Sequence, residues 1–175
     1  ILLKDQILDK YDMDVKFKEK VGYNLLPKPF FYTKNLEILH KDKILGHTNY
    51  TKFYISPTNF FSLKNIKIQD LVFKNTEFEI DANNINFFKK TLNSSEKENE
   101  VFFKKSKFFY EDENDELLFL SKIDMLNFFY DEKNGLNKVK SVFEIFNIPF
   151  KLEISKNVYD NNKNFILTSK KIRLN

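Results

Sequence analysis

The sequence predicts a mainly β protein that contains a few short helices and one largely antiparallel sheet. Apolar and polar residues alternate in several segments, and the clearest case is the row Phe150, Leu152 and Ile154, which alternates with charged or polar residues. Turn-rich clusters such as Asp131–Gly135 separate these segments, and strands joined by short connections normally pair in antiparallel fashion. An apolar content of 42% is sufficient for a core.

The first predicted element is a helix, because Leu3, Ile7 and Tyr11 recur at a spacing of four residues. A strand of period two follows it. Pro27 and Pro29 end this strand, since proline has no N–H group to donate to a ladder. The apolar face of the strand carries Val15, Phe17, Val21 and Tyr23.

Further strands and two short helices complete the N-terminal part. Ser56 and Pro57 are typical of a helix start, and Asp81 is predicted to cap a second helix. The apolar side of this second helix carries Ile85, Phe88 and Leu92. The strands are predicted at Phe30–Leu39, Thr48–Ile55, Ile66–Lys74 and Thr76–Ile80, with a turn at Lys41–Gly46. In the first of them, one face is predicted to carry Phe30, Tyr32, Leu36 and Ile38.

The chain is predicted to form one domain with three segments. Residues 1–93 hold the N-terminal helix, the first strands and the short helices, and residues 94–100 form a polar loop or linker. Residues 101–175 form an antiparallel β meander that continues the same sheet. Its strands are predicted at Val101–Tyr110, Leu117–Tyr130, Lys138–Phe146, Phe150–Val158 and Phe165–Leu174. Because the sequence opens with Ile1 rather than Met, we expect a fragment of a longer protein.

The composition argues against an enzyme and against a metal site. The chain has no Cys, two His and three Gly, which disfavours thiol chemistry, zinc sites and glycine-rich phosphate loops. His40 and His47 lie seven residues apart without further ligands in the pattern, and we expect them at the surface. The acidic run Glu111–Glu116 lacks the glycine of a calcium loop and is predicted to be a hairpin tip. We expect no catalytic residues, no cofactor and no metal.

The basic residues do not indicate a nucleic-acid partner. The net charge is +4, but the basic residues are 28 Lys and the single Arg173. Proteins that recognise bases and phosphates make heavy use of the bidentate guanidinium of Arg. AT-rich codons explain the abundance of Lys, Asn, Ile, Phe and Tyr, and we expect no nucleic acid among the partners.

Phenylalanine is the most unusual part of the composition, with 21 residues, many of them in adjacent pairs such as Phe102-Phe103 and Phe108-Phe109. Neighbouring residues of a strand point to opposite faces, so each pair places a ring on both sides of the sheet. Two interpretations remain open. The rings form an ordinary core, or they form an apolar face that no second layer closes and that accepts acyl chains or a partner.

Two stretches carry a resemblance to a known family. The first runs from Tyr11 through the Leu26-Pro27-Lys28-Pro29-Phe30 segment, in the order helix, strand, Pro-x-Pro and strand, and continues through Phe60–Ile68 and Phe78–Ile80. The second is Val142–Glu153, where one strand ends at a proline and the next begins. In these stretches the chain resembles the N-terminal portion of the AsmA family of bacterial envelope proteins, related to the TamB-type groove proteins.

The resemblance implies an elongated, curved sheet that forms an apolar groove, with the body in the periplasm and an inner-membrane anchor upstream of Ile1. It implies phospholipid transport between the inner and outer membranes or outer-membrane biogenesis, with acyl chains as the ligand. The residues expected to line the groove are Val15, Phe17, Phe30, Tyr32, Phe150, Leu152 and Ile154. The alternative is a structural or assembly-assisting envelope protein whose sheet edges bind other envelope proteins.

Overall fold

The computed structural model describes residues 2–11, 13–40, 43–56, 66–86, 100–112, 114, 116–160 and 162–172. These residues contain one α-helix, α1 (Leu2–Tyr11), a helical turn at residues 85–86 and ten strands. The strands are β1 (Asp14–Phe17), β2 (Gly22–Asn24), β3 (Phe30–His40), β4 (Lys43–Ile55), β5 (Ile68–Ile80), β6 (Glu100–Glu111), β7 (Leu117–Asp131), β8 (Leu136–Ile145), β9 (Ile148–Asn157) and β10 (Lys163–Thr168).

All ten strands belong to one open sheet, which confirms the prediction of a mainly β, largely antiparallel fold. The order is β1-β3-β4-β5-β6-β7-β8-β9-β10, and β2 pairs with the start of β3. Every pair is antiparallel except β5 with β6, which run parallel from Asp70↔Glu100 to Ile80↔Tyr110. This parallel pair joins the strands of the N-terminal half to the meander of the C-terminal half.

Helix α1 packs on one face of the sheet, which we call the inner face, and contacts β1 and β5. Ile7 is fully buried there among residues of the core that include Val15, Leu36 and Phe53. The side-chain amide of Gln6 donates to the carbonyl oxygen of Ile66, and its Oε1 accepts a hydrogen bond from the N–H group of Ile68. The predicted helical face is therefore the one that buries Ile7, and it closes the core over the first strands.

A row of left-handed residues crosses the middle of the sheet. Asn35, Asn75 and Lys105 have φ angles of 49°, 52° and 51° in β3, β5 and β6. Each strand from β3 to β7 has one additional residue where it crosses this row. Because the additional residues lie side by side, neighbouring strands keep the same pairing register on both sides of the row. Across the row, inward-facing residues are three positions apart instead of two, as in Phe73 and Thr76 of β5.

The row changes the predicted face of β3. Leu36 and Ile38 lie in the buried core, whereas Phe30 and Tyr32 pair with Tyr54 and Lys52 on the opposite side, which we call the outer face. Alternation therefore does not hold through the whole of β3, because a left-handed residue at position 35 reverses the side on which the following residues lie. For the same reason β5 continues through Asn75, where the sequence predicted two separate strands.

The other predicted boundaries of the N-terminal strands differ less from those of the structure. The first predicted strand is divided into β1 and β2, which pair with different parts of β3, and β4 begins at Lys43 inside the predicted turn. Asp81 caps the turn that follows β5, since its Oδ1 accepts hydrogen bonds from the N–H groups of Asn83 and Asn84 at 2.8 and 2.7 Å. The helix predicted after Ser56, the positions of Phe88 and Leu92, and residues 94–99 of the predicted linker lie outside the described residues.

The strands of the C-terminal half agree with the prediction to within a few residues at most ends, and β10 ends at Thr168. β6 ends at Glu111 of the acidic run and β7 begins at Leu117. Between them, Asp112 Oδ1 accepts hydrogen bonds from the N–H groups of Asn114 and Glu116. The backbone hydrogen bond from Glu116, then that from Asn114, and the side-chain amide of Asn114 lower the pKa of Asp112. The hairpin tip predicted for this run is confirmed.

Candidate functional site

An apolar cavity of about 400 Å³ lies on the inner face, over β5 to β9. Part of its lining, including Met13, Phe78 and Phe103, belongs to the same buried core that α1 covers. Two serines are the only small polar residues among its lining, and the other lining residues are apolar or aromatic. The lining consists of Met13, Phe78, Ile80, Ile85, Phe103, Phe108, Tyr110, Phe119, Ser121, Ile123, Leu126, Phe128, Val139, Ser141, Phe143, Ile145, Leu152 and Ile154.

The register of the sheet explains why the cavity forms where it does. Ser121 lies between Phe108 on β6 and Ile145 on β8, and Ser141 lies between Leu126 on β7 and Leu152 on β9. A short side chain between two long ones leaves space above it. Both serines are buried, and the hydroxyl of Ser141 donates to the carbonyl oxygen of Met125 at 3.2 Å, so this hydroxyl is satisfied by the backbone.

Aromatic rings form one wall of the cavity and hold one another in place. Phe78 packs edge-on against Phe103 and Phe108, with ring centroids 5.5 and 5.1 Å apart. Tyr110 stacks on Phe119 at 5.1 Å. Such pairs add about 0.5–1.5 kcal/mol to the burial of the rings. These contacts therefore help to fix the relative positions of the rings in this wall.

The lining offers hydrophobic contact and few other interactions. None of the lining residues is an Asp, Glu, Lys, Arg or His. Within the described part of the chain, no group of three or more His, Cys, Asp or Glu could hold a metal ion. His47 lies on the outer face, with its Nδ1 3.9 Å from Glu37 Oε1. The chemistry that this arrangement supports is the burial of an apolar ligand.

The structure separates the seven residues predicted for the apolar groove into three groups. Leu152 and Ile154 line the cavity, and Phe150 stacks on Phe143, a lining residue, at 5.4 Å. Val15 is fully buried in the core under α1, and Phe17 packs on Phe53 of that core with ring centroids 6.0 Å apart.

Phe30 and Tyr32 form the third group and lie on the outer face, away from the cavity.

Sequence reasoning did not find the residues that shape the cavity. Phe103 and Phe108 were noted as members of adjacent pairs, but the pairs alone do not say which ring of each points inward. Ser121 and Ser141 gave no signal, because a serine within a strand is typical of many positions. The register of β6, β7, β8 and β9 is needed to recognise them.

Comparison with known protein families and with curated proteins finds no match to this chain. Among the described residues, no helix has the length and apolar character needed to cross a membrane.

Proposed function

We propose that this chain binds phospholipid acyl chains in the apolar cavity over β5 to β9. The observation that supports the proposal is the cavity itself, about 400 Å³ in volume and lined by apolar and aromatic side chains apart from two serines. Small-molecule sites are typically cavities of about 300–1,000 Å³ with a mostly apolar lining. Each methylene group buried in such a site contributes about 0.8 kcal/mol, so part of one acyl chain gives useful affinity.

The resemblance to the AsmA family extends this proposal to a cellular role. In that role the chain is the periplasmic part of a protein anchored to the inner membrane, and it moves phospholipid between the inner and outer membranes. The lining supplies no group that reacts with the ligand, so transfer is passive. Acyl chains are shielded in the cavity, and the charged headgroup remains in water, because burying it without a partner is costly.

Native mass spectrometry of the purified chain tests the proposal, with bound lipid identified after release. The variant Leu152→Asp places a charge in the cavity, and Ser155→Asp is its matched control. Both positions are half-buried on β9, but Leu152 lines the cavity, whereas Ser155 lies on the other face. We expect phospholipid in the wild-type protein and in Ser155→Asp, and none in Leu152→Asp.

A second variant and a measurement of folding distinguish loss of lipid binding from loss of the fold. Ser141→Leu fills the cavity with an apolar side chain, and circular dichroism reports whether each variant keeps its sheet. Lipid that stays bound in both Leu152→Asp and Ser141→Leu would show that the cavity is not the binding site. A folded wild-type protein without lipid would contradict the proposal as a whole.

One observation favours the alternative role as an assembly-assisting protein. β10 pairs with β9 on one side, and among the described residues no strand pairs with its other side. Phe165 and Ile166 on this strand are 62% and 46% exposed. An edge of this kind can accept a strand from a partner. A photo-crosslinking residue at position 166 would then capture an envelope protein in cells, whereas one at Lys151 inside the sheet would not.

A further inference from the structure

The outer face carries a cluster of three lysines with aromatic rings around them, which we call the lysine patch. Lys52 lies on β4, Lys74 on β5 and Lys104 on β6. Lys74 and Lys104 are directly opposite each other in the parallel pair of strands. The rings of the patch are Phe30, Tyr50, Tyr54 and Phe102.

None of the three lysines forms an ion pair with a carboxylate of the described residues. Among the described residues, no Asp or Glu oxygen lies within 4.0 Å of the ammonium group of Lys52, Lys74 or Lys104. Two lysines on the other side of the left-handed row do form ion pairs. On the same face, Lys107 pairs with Glu77 at 2.8 Å and Lys122 with Glu144 at 3.1 Å.

The closeness of three positive charges has a cost in stability. Like charges directly opposite in neighbouring strands destabilise a sheet. Burial lowers the pKa of Lys52, and the positive charges of Lys74 and Lys104 lower it further. The patch therefore concentrates positive charge that no described carboxylate pairs with, and an anionic partner would relieve the repulsion among the three lysines.

An aromatic ring lies close to the ammonium group of each lysine of the patch. Lys52 Nζ lies 4.2 Å from the ring centroid of Phe30, and Lys104 Nζ lies 4.9 Å from that of Phe102. Lys74 Nζ lies 5.8 Å from the ring of Tyr50. These are cation–π contacts, which attract the ammonium group to the ring face. The contacts reduce the freedom of the three side chains before any partner arrives.

We propose that the lysine patch binds the phosphate groups of an anionic lipid surface. Lysine with tyrosine or other rings is the combination that proteins place at the headgroup level of a membrane, where the amine reaches the phosphates. A single-stranded nucleic acid would instead need free ring faces on which bases can stack. In the lysine patch the faces of Phe30 and Phe102 are covered by ammonium groups.

This surface is separate from the lipid cavity, because it lies on the other face of the same sheet. The proposal does not depend on acyl-chain binding, and a variant at one site leaves the other unchanged. A chain with both sites would dock its outer face on the headgroups while its inner face holds an acyl chain.

Co-sedimentation with vesicles at low salt tests the lysine patch. The vesicles are phosphatidylcholine with phosphatidylglycerol in a two-to-one ratio, and phosphatidylcholine alone serves as the uncharged reference. We expect binding to the anionic vesicles and little to the uncharged ones. In Lys74→Gln/Lys104→Gln the partition coefficient is expected to fall about 30-fold, since each lysine near an anionic surface contributes about 1 kcal/mol.

The matched control is Lys133→Gln/Lys170→Gln, which removes the same charge from two exposed residues in turns. We expect this control to bind within a few-fold of the wild-type protein. Equal losses in the two double variants would mean that only net charge matters, and would overturn the assignment to the patch. Binding to fluorescent oligothymidylate that exceeds vesicle binding, and that Lys74→Gln/Lys104→Gln abolishes, would overturn the membrane proposal in favour of nucleic acid. Thermal melting verifies that the variants are folded.

Discussion

Valine at position 75 should destabilise the protein by about 1–2 kcal/mol. Asn75 has a φ of 52°. Asparagine tolerates this left-handed region, whereas a β-branched side chain is an outlier there, and the steric cost is about 1–2 kcal/mol. Asn75 is exposed, so its replacement loses no buried contact. For a chain of this size the expected decrease in Tm is about 2–8 °C.

Two further variants separate the backbone effect from the effect of the side chain. Asn75→Gly should stay within about 1 kcal/mol of the wild-type protein, because glycine adopts positive φ without steric cost. Glu79→Val is an exposed valine substitution at ordinary φ in the same strand, and it should be neutral, since valine favours strands. Differential scanning calorimetry measures the Tm of Asn75→Val, Asn75→Gly and Glu79→Val. If Asn75→Val has the same Tm as the wild-type protein and Glu79→Val, the left-handed row is not present in solution.

Three more predictions concern packing, strain and pH. Gly46→Ala should lower the free energy of unfolding in urea by about 1–3 kcal/mol, because the new Cβ would lie 2.6 Å from Cδ1 of the buried Phe78. An unchanged urea midpoint would contradict this close approach. Lys105→Gly should raise the free energy of unfolding by up to about 1 kcal/mol, since φ is 51° there, and a decrease would argue against strain at this position. The hydrogen bond from Lys138, followed by that from Asn134, lowers the pKa of Asp131 to about 2. This carboxylate therefore stabilises the fold above about pH 4 and loses its contribution as the pH falls toward 2. Asp131→Asn should weaken the decrease in Tm over that range, and an identical pH profile would refute the assignment.

The sequence was informative where local rules decide the structure. The alternation of Phe150, Leu152 and Ile154 with charged residues recurs in β9, where the odd-numbered residues Lys151 and Glu153 are exposed. Asp81 is predicted as a cap from its short acidic side chain, and its Oδ1 accepts the expected backbone hydrogen bonds. These features depend on neighbours within a few residues, which a sequence displays directly.

Features that depend on neighbouring strands could not be predicted. Asparagine is typical of turns, and the sequence predicts that one strand ends before Asn75 and another begins after it. In the structure β5 is continuous, because the adjacent strands have an additional residue at the same level and the pairing register is kept. The lysine patch depends on the register of β5 with β6, which places Lys74 opposite Lys104, and on that of β4 with β5, which brings Lys52 near them. The cavity likewise depends on which residues stand beside Ser121 and Ser141.

The parallel pair β5–β6 has a consequence for how the chain folds. In a hairpin the first contact is short, as in β6–β7, where Glu111 pairs with Leu117, and later pairs add to it one at a time. In β5–β6 each pair joins residues thirty positions apart, such as Asp70 with Glu100, so no short contact exists from which pairing can extend. Closing such a loop costs entropy before any contact compensates for it, and non-local pairing is slow. We therefore expect the strands on either side to assemble first, with their union along β5–β6 as the slow step that completes the sheet.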